Sequence, residues 1–371
     1  MEIIILILWC NIIIYLIFEN YYINKISKSF KYIIYVNGTR GKSSTTRLID
    51  SGLRSSNYKI FSKTTGTIPM YIDVNNNEIP IRRFGKANIK EQMKIMKLAY
   101  KQNADILVLE CMAVDPELQF ISQNKMVKSN IGVITNVRLD HTDVMGDSLT
   151  EICHSLCNTI PKNGVCFTSD EDFFDCIQKE SLKLNTKTFL SVPDESTKSF
   201  TFPDNYAIAL DVCSYIGVNL EDSLNGMKVY KHDPYDLSLY KLKNGGIFIN
   251  GLSINDISSI NITYNNLCTK YNLHQKNLIL LINNRFDRGY RSMQMINFAN
   301  KVKPKAVYLM GSHTYILKSK INCNFIKIIN KIQDLPLEID EDNFIYAIGN
   351  IGNNGNEIID FIRKRGDLIA R

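Results

Sequence analysis

Six short apolar runs in the first half of the chain alternate with helical patterns, and this alternation restricts the fold more than any other feature of the sequence. The expected strands are Tyr32–Val36, Lys59–Ser62, Ile106–Cys111, Ile131–Thr135, Val165–Thr168 and Thr188–Ser191. Helical patterns lie at Ser43–Ser55, Asn88–Gln102, Leu149–Ile160 and Asp172–Lys183. Strands this apolar, separated by helices, are buried on both faces of a mostly parallel sheet, which predicts an α/β architecture. Met70–Arg82 reads as a hairpin inserted in that sheet, with Asn75-Asn76-Asn77 as its turn, and Asn205–Gly217 as a further amphipathic helix. From about Asn219 the alternation starts afresh. Strands are expected near Val229 and at Ile247–Asn250, Leu278–Ile282, Ala306–Met310, Phe325–Ile328 and Phe344–Ile348. Helices are expected at Ile254–Lys270, Arg291–Val302 and up to about Arg363, which makes a smaller Rossmann-like second domain. With 371 residues there is room for two cores, and the expected division is 1–24, 25–220 and 221–371.

The first of these segments differs in kind. Ile3 to Phe18 is almost continuously apolar, interrupted by Asn11, and Tyr21, Tyr22 and Ile23 extend it toward an interface. No basic region precedes it and no small-residue cleavage site follows, so a removed signal peptide fits poorly. Lys25, Lys28 and Lys31 follow directly. The positive-inside rule then predicts a single membrane anchor with the catalytic domains in the cytoplasm. The formal charge of +7 suits a polyanionic substrate or an anionic membrane surface. No basic tail and no basic-aromatic module accompanies it, so nucleic acid is not an expected partner. The nine cysteines include no C-x-x-C pair, and Cys153, His154 and Cys157 lack a second ligand pair at zinc spacing. They read as reduced, packed thiols.

Chemistry concentrates where strands end, because open parallel sheets bind ligands beyond their carboxyl ends. Lys31 to Arg47 reads KYIIYVNGTRGKSSTTR: a strand, a glycine turn, then Lys42-Ser43-Ser44 opening a helix. That is the layout of a phosphate-binding loop, in which backbone N–H groups surround an anion, a lysine supplies charge and a hydroxyl holds Mg²⁺. The standard pattern has a glycine where Val36 stands, leaving G-x-x-G-K-S-S from Gly38 through Thr39, Arg40, Gly41, Lys42 and Ser43 to Ser44. The expected ligand is ATP. Glu110 ends an apolar strand, where a carboxylate either holds a metal or caps a surface. Asn136, Asp140, His141 and Asp143 follow another strand end and are either a second metal or phosphate-side group or ordinary turn residues. Thr64-Thr65-Gly66-Thr67 either lines the phosphate pocket or is turn chemistry. Arg82, Arg83 and Lys86 either steer an acidic substrate or form a solvated face. In the second domain Asn255 and Asp256 open a helix, and Arg285, Asp287, Arg288 and Arg291 can clamp phosphates or carboxylates. Gly349, Gly352 and Gly355 form a glycine-rich turn before the last helix.

These segments resemble a known family. VNGTRGKSSTTR resembles the phosphate loop of Mur ligases and folylpolyglutamate synthetases, VLEC the strand ending in their magnesium-binding glutamate, and ITNVRLDHTDVMG the segment whose histidine binds a second magnesium. Together with PIRRFGKANIKEQ, VLECMAVDPELQ, NNRFDRGYRS and AIGNIGNNG, the chain is similar along essentially its whole length to the ligase subunit of poly-γ-glutamate synthase, of the CapB or PgsB type. The resemblance implies a Mur ligase-like central domain and an ATP- and Mg²⁺-dependent acid–amino-acid ligase that polymerises glutamate through its γ-carboxyl by way of an acyl phosphate. It implies Lys42, Glu110 and His141 as catalytic residues, with Ser43, Glu110 and His141 on metal. ATP would be bound by the loop with Asn255, Asp256, Arg285 and Arg288; substrate by Thr65, Arg82, Arg83, Asn136, Asp140 and Arg291. It further implies glutamate and poly-γ-glutamate as ligands, membrane-embedded partner subunits and a homo-oligomer. Alternatives are a ligase for another amino acid or a folate-type acceptor, and an anchored P-loop regulatory ATPase. The chain also departs from the wider family. The helix Leu149–Ile160 carries no lysine where Mur ligases place a carbamoylated one, and Lys162 lies past it. The aspartate-led motif opening the last Mur domain is absent, with Asn255-Asp256 as its expected stand-in. No UDP-substrate domain is present, which makes a nucleotide-sugar substrate improbable.

Overall fold

The computed structural model describes residues 2–370 apart from 67, 84, 86, 199, 234, 255, 256, 287, 288 and 353, and the backbone alone at 258 and 289–291. The chain divides into two compact units, Met1–Lys231 and His232–Arg371. The first contains α1 (Glu2–Ser29), β1 (Tyr32–Asn37), α2 (Lys42–Leu53), β2 (Ile60–Thr64), β3 (Met70–Ile72), β4 (Glu78–Pro80), α3 (Lys90–Lys101) and β5 (Ile106–Glu110). It continues with α4 (Pro116–Ile121), a π-helical turn (Ser122–Val127), β6 (Ile131–Ile134), α5 (Thr142–Met145), α6 (Leu149–Cys157), β7 (Val165–Thr168), α7 (Phe174–Lys183), β8 (Lys187–Leu190), α8 (Pro203–Ile216) and α9 (Leu220–Lys228).

Its eight strands are ordered β4-β3-β2-β5-β1-β6-β7-β8. From β2 to β8 every neighbouring pair is parallel, and β3 and β4 add the expected antiparallel hairpin at one edge. β1 shows why its sequence is apolar throughout. Ile34 and Val36 point into a core with Leu48, Ile49 and Val133, whereas Ile33 and Tyr35 point into another with Phe61, Ile95 and Leu107. Successive side chains alternate faces and both faces are covered, so every position must be apolar. Each such side chain contributes about 1.5–3 kcal/mol on burial. The Tyr35 hydroxyl stays satisfied inside, 2.6 Å from Ser122 Oγ. This central position of β1 puts the loop after it in the middle of the carboxyl-end rim, flanked by the ends of β5 and β6.

The second unit contains β9 (Ser238–Leu242), β10 (Ile247–Asn250), α10 (Ile257–Lys270), β11 (Asn277–Asn284), α11 (Gly289–Val302), β12 (Ala306–Gly311), α12 (Thr314–Lys320), β13 (Ile326–Ile328), β14 (Asn343–Gly349), α13 (Gly355–Arg363) and β15 (Gly366–Ala370). Its sheet is ordered β13-β12-β11-β14-β10-β9-β15, parallel except for β9 and β15. No strand forms near Val229. That residue closes α9, which starts from an Asn219 cap and buries Met227 with Leu48 and Cys213 of the first core. An exposed valine after a capped helix is a stop, not a strand.

Among the described residues α1 is the one helix long and apolar enough to cross a membrane, and none of its apolar stretch is buried. It does not end with that stretch. Ile26 and Phe30 enter the core formed with Ile95, Met96 and Ala99, so the helix is continuous with the folded unit.

Candidate active site

The turn from β1 into α2 needs both of its glycines. Gly38 has φ +130, and a Cβ there would lie 2.0 Å from Thr135 Oγ1 and 2.8 Å from Thr135 N. Gly41 has φ +78, and a Cβ there would meet Asn205 Oδ1 at 2.7 Å. Only glycine tolerates such backbone angles at that packing. The end of β6 clamps the turn in place. Asn136 Oδ1 accepts from Arg40 N at 3.0 Å and Thr39 Oγ1 at 2.8 Å, and Asn136 O accepts from Thr39 N at 3.0 Å. Lys42 Nζ donates to Gly38 O at 2.6 Å, which stations the ammonium at the loop. Gly41, at the N-cap of α2, offers no side-chain acceptor, so the N–H groups of that first turn lack the side-chain partner seen at Ser148 before α6. An uncapped helix start beside a lysine fits a phosphate group.

Glu110 lies on the β5 side of the loop and is 3% exposed. Its Oε2 accepts from Ser43 Oγ at 2.8 Å and from Thr65 N at 2.6 Å, and its Oε1 accepts from Thr65 Oγ1. Ser43, Thr65 and Glu110 thus converge from α2, the end of β2 and the end of β5. A hydroxyl and a carboxylate in contact, next to a lysine and an uncapped helix start, are hard oxygen donors of the kind that hold Mg²⁺ with phosphate oxygens and water. Among the described residues no group of three or more His, Cys, Asp or Glu converges. Such a site would therefore lean on its nucleotide to complete the coordination.

Behind Glu110 lies a network that sequence reading did not find. Lys63 is fully buried, its Nζ 3.0 Å from Glu91 Oε1 and 3.3 Å from Gln92 Oε1. Gln92 Nε2 donates to the Glu110 carbonyl at 2.8 Å, and Arg83 grips Glu91 through Nε at 2.6 Å and Nη2 at 2.9 Å. The available signal was a lysine in the middle of an apolar strand, KIFSKTT. Burial pushes the Lys63 ammonium below its ordinary range, and Glu91 opposes that. Burial of Glu91 works against its charge, but hydrogen bonds and charge from Arg83 and Lys63 prevail and hold it at about 2, against an ordinary 4.5. A depressed carboxylate pKa stabilises the fold fully above the unfolded value and loses that contribution as pH falls through the folded one. Between pH 4.5 and about 2 the native chain should lose thermal stability more steeply than Glu91→Gln, as read by melting temperature against pH. Equal slopes would show that the network carries no linkage.

The remaining expected residues separate into four groups. Asp140 is 3.3 Å from Arg40 Nη2, and His141, with φ +47, opens α5 with its Nε2 3.9 Å from Asp140 Oδ2, too far for a hydrogen bond. The bonds that gather Ser43, Thr65 and Glu110 do not include His141, which stands past β6 at the same end of the sheet. Asn136 bonds Thr39 and supports the loop, Arg83 bonds Glu91, and Arg82 is exposed. In the second unit Gly349, with φ +112, packs against the Asn283 carbonyl, and Arg285 lies against Gly352 of the glycine-rich turn. Asn255, Asp256, Arg288, Lys86 and Thr67 lie outside the described residues, as does the side chain of Arg291.

A model of the Mur ligase middle domain matches residues 36–211, and one of the poly-gamma-glutamate synthase CapB C-terminal domain matches residues 238–365. The chain is 32% identical over 357 residues to PGA synthase CapB of Bacillus subtilis (strain 168), covering 89% of this chain and 90% of the relative. It is 32% identical over 387 residues to the capsule biosynthesis protein CapB of Bacillus anthracis, covering 95% and 81%. Among solved structures, a bifunctional folylpolyglutamate synthase/dihydrofolate synthase from Yersinia pestis, complexed with AMPPNP and Mn ion, is similar with a TM-score of 0.67 at 12% identity, over 93% of this chain and 92% of that one. A folylpolyglutamate synthase from Thermotoga maritima is similar with a TM-score of 0.63 at 14% identity, over 92% and 93%. These two likenesses concern the fold.

Proposed function

This chain belongs to the CapB family of poly-γ-glutamate synthases and is an ATP-dependent ligase, and we propose that it joins glutamate units through their γ-carboxyl groups by way of an acyl phosphate. The observation that carries the reading is the contact of Ser43 Oγ with Glu110 Oε2 at 2.8 Å, directly after Lys42 at the uncapped start of α2.

A carboxylate is a poor electrophile in water, so the reaction needs activation before an amine can attack. The acceptor γ-carboxylate oxygen bonds to the γ-phosphorus of ATP while the bond to the β,γ-bridging oxygen breaks and ADP leaves. The incoming amine then attacks the acyl carbon, a proton is lost from nitrogen, and phosphate is expelled from the tetrahedral intermediate. The chain's part is to gather and neutralise charge. The loop N–H groups and Lys42 hold the triphosphate, Asn136 keeps the loop from moving, Thr65 fixes the Glu110 carboxylate, and Gln92 holds the Glu110 backbone carbonyl. Ser43 and Glu110 would hold Mg²⁺, which when bound offsets phosphate charge, and His141 would serve a second ion. The single apolar helix anchors the ligase, with its folded units in the cytoplasm where ATP is available, and partner subunits carry the polymer onward.

The test is phosphate release by the membrane-bound protein with ATP and Mg²⁺ as amino acids are supplied one at a time. Release stimulated by glutamate, with formation of a γ-linked polymer, is expected. Release indifferent to glutamate, without polymer, would remove this reading.

A further inference from the structure

Five lysines from three separate elements lie on or near the stretch where α1 enters the first unit. Lys25 and Lys28 lie on α1, Lys97 on α3, and Lys125 and Lys128 on and just after the π-helical turn. Their neighbours tie them together. Lys97 Nζ is 5.3 Å from the Tyr22 ring centroid, and Lys128 Nζ donates to Asn24 Oδ1. The Lys128 pKa is pushed down, first by burial and then by the charges of Lys125 and Lys28, so both of those ammonium groups lie within electrostatic reach of it. Among the described residues none of the five has a carboxylate partner. The acid on α3, Glu91, is already taken by Lys63 and Arg83. Four of the five are exposed, and Lys128 is half-buried.

A solvated lysine face is common, but this one has a defined place. It adjoins the base of a helix whose preceding residues, from Ile3 to Tyr22, are apolar or aromatic and exposed with few exceptions. An apolar stretch of that length ends at the headgroup layer of a bilayer, and Tyr21 and Tyr22 are the residue type that settles there. Cations clustered at that level meet lipid phosphates, and a negative leaflet attracts them at short range. Lysine stems reach such phosphates while keeping their apolar carbons against the protein.

We propose that Lys25, Lys28, Lys97, Lys125 and Lys128 form a collar that binds the phosphates of anionic phospholipids in the leaflet α1 enters, seating the first unit on the membrane surface. The collar rests on the reading of α1 as an anchor, and the two are tested apart.

The experiment uses the full chain in nanodiscs of phosphatidylcholine with or without phosphatidylglycerol. Trp9, the only tryptophan, lies on α1 and reports insertion through quenching by brominated lipid tails. Amide hydrogen exchange reports the collar. Adding phosphatidylglycerol should slow exchange in residues 94–101 and 122–128 by about tenfold, an effect that weakens as salt rises. The triple variant Lys28→Gln/Lys97→Gln/Lys125→Gln should lose that protection while keeping Trp9 quenching and, in detergent, glutamate-dependent phosphate release. Protection that is equal in the two lipids with Trp9 quenched, or retained in the triple variant, would overturn the collar alone. Protection produced equally by soluble polyglutamate in phosphatidylcholine would assign the lysines to the polymer and overturn the lipid proposal. Trp9 left unquenched in every lipid would overturn the anchor and the collar together.

Discussion

Replacing Lys42 by alanine should lower glutamate-dependent phosphate release by about a thousandfold while leaving a folded chain. The magnitude is that of removing one preorganised cation or donor from a site where charge develops on transferring oxygens. The fold should survive because Lys42 is partly exposed and its recorded bonds go only to the loop carbonyls of Gly38 and Thr39, at 2.6 and 3.4 Å. Losing such bonds costs about 1 kcal/mol. The melting temperature of Lys42→Ala should therefore stay within a few degrees of the native value. Lys42→Arg should not restore turnover, since a planar fork on a longer stem places its charge elsewhere than a compact ammonium does. Turnover within a few-fold of native in Lys42→Ala would remove the loop from the chemistry.

Gly38→Ala should fail for a different reason, visible before any assay. The new methyl would sit 2.0 Å from Thr135 Oγ1 and 2.8 Å from Thr135 N, and one of those atoms belongs to the backbone of a central strand end. Neither can give way without breaking the clamp of β6 on the loop. Together with φ +130, a conformation alien to alanine, the cost is about 3 kcal/mol or more. For a unit of this size that lowers the melting temperature by roughly 10 °C. Gly85→Ala is the matched control, because a Cβ there meets nothing within 4 Å and should be neutral. The two loop variants thus separate chemistry from architecture: Lys42→Ala melts normally and does not turn over, and Gly38→Ala does neither. A Gly38→Ala chain as stable as Gly85→Ala would show that Thr135 and Asn136 do not hold the loop.

The elements that were legible were those whose signal is local. β1 reads as a doubly buried strand because each of its faces meets its own core, and the Gly38–Ser43 order reads as a phosphate loop because both glycines answer steric demands of the turn itself. Val229 misled because a β-branched residue after a polar stretch resembles a strand start, although the Asn219 cap and the acidic Glu221 and Asp222 mark a helix before it. β9 and β15 escaped because they are short strands added antiparallel at one end of an otherwise parallel sheet, β9 beside β10 and β15 at the edge, where alternation is brief. The bonds of the Asn136 carboxamide to Thr39 and Arg40, almost a hundred residues away in sequence, carried no local signal.

Sequence alone determined the class of fold, the position of the glycine turn from β1 into α2 and the apolar helix, because apolar period, glycine placement and segment length act over a few neighbouring residues. Only the tertiary structure decided that Lys63 and Gln92 stand behind Glu110, and that lysines of α3 and the π-helical turn meet the residues of α1. Those meetings depend on strand order and register. Neither is encoded near the residues concerned; both follow from how two sheet faces are covered at once.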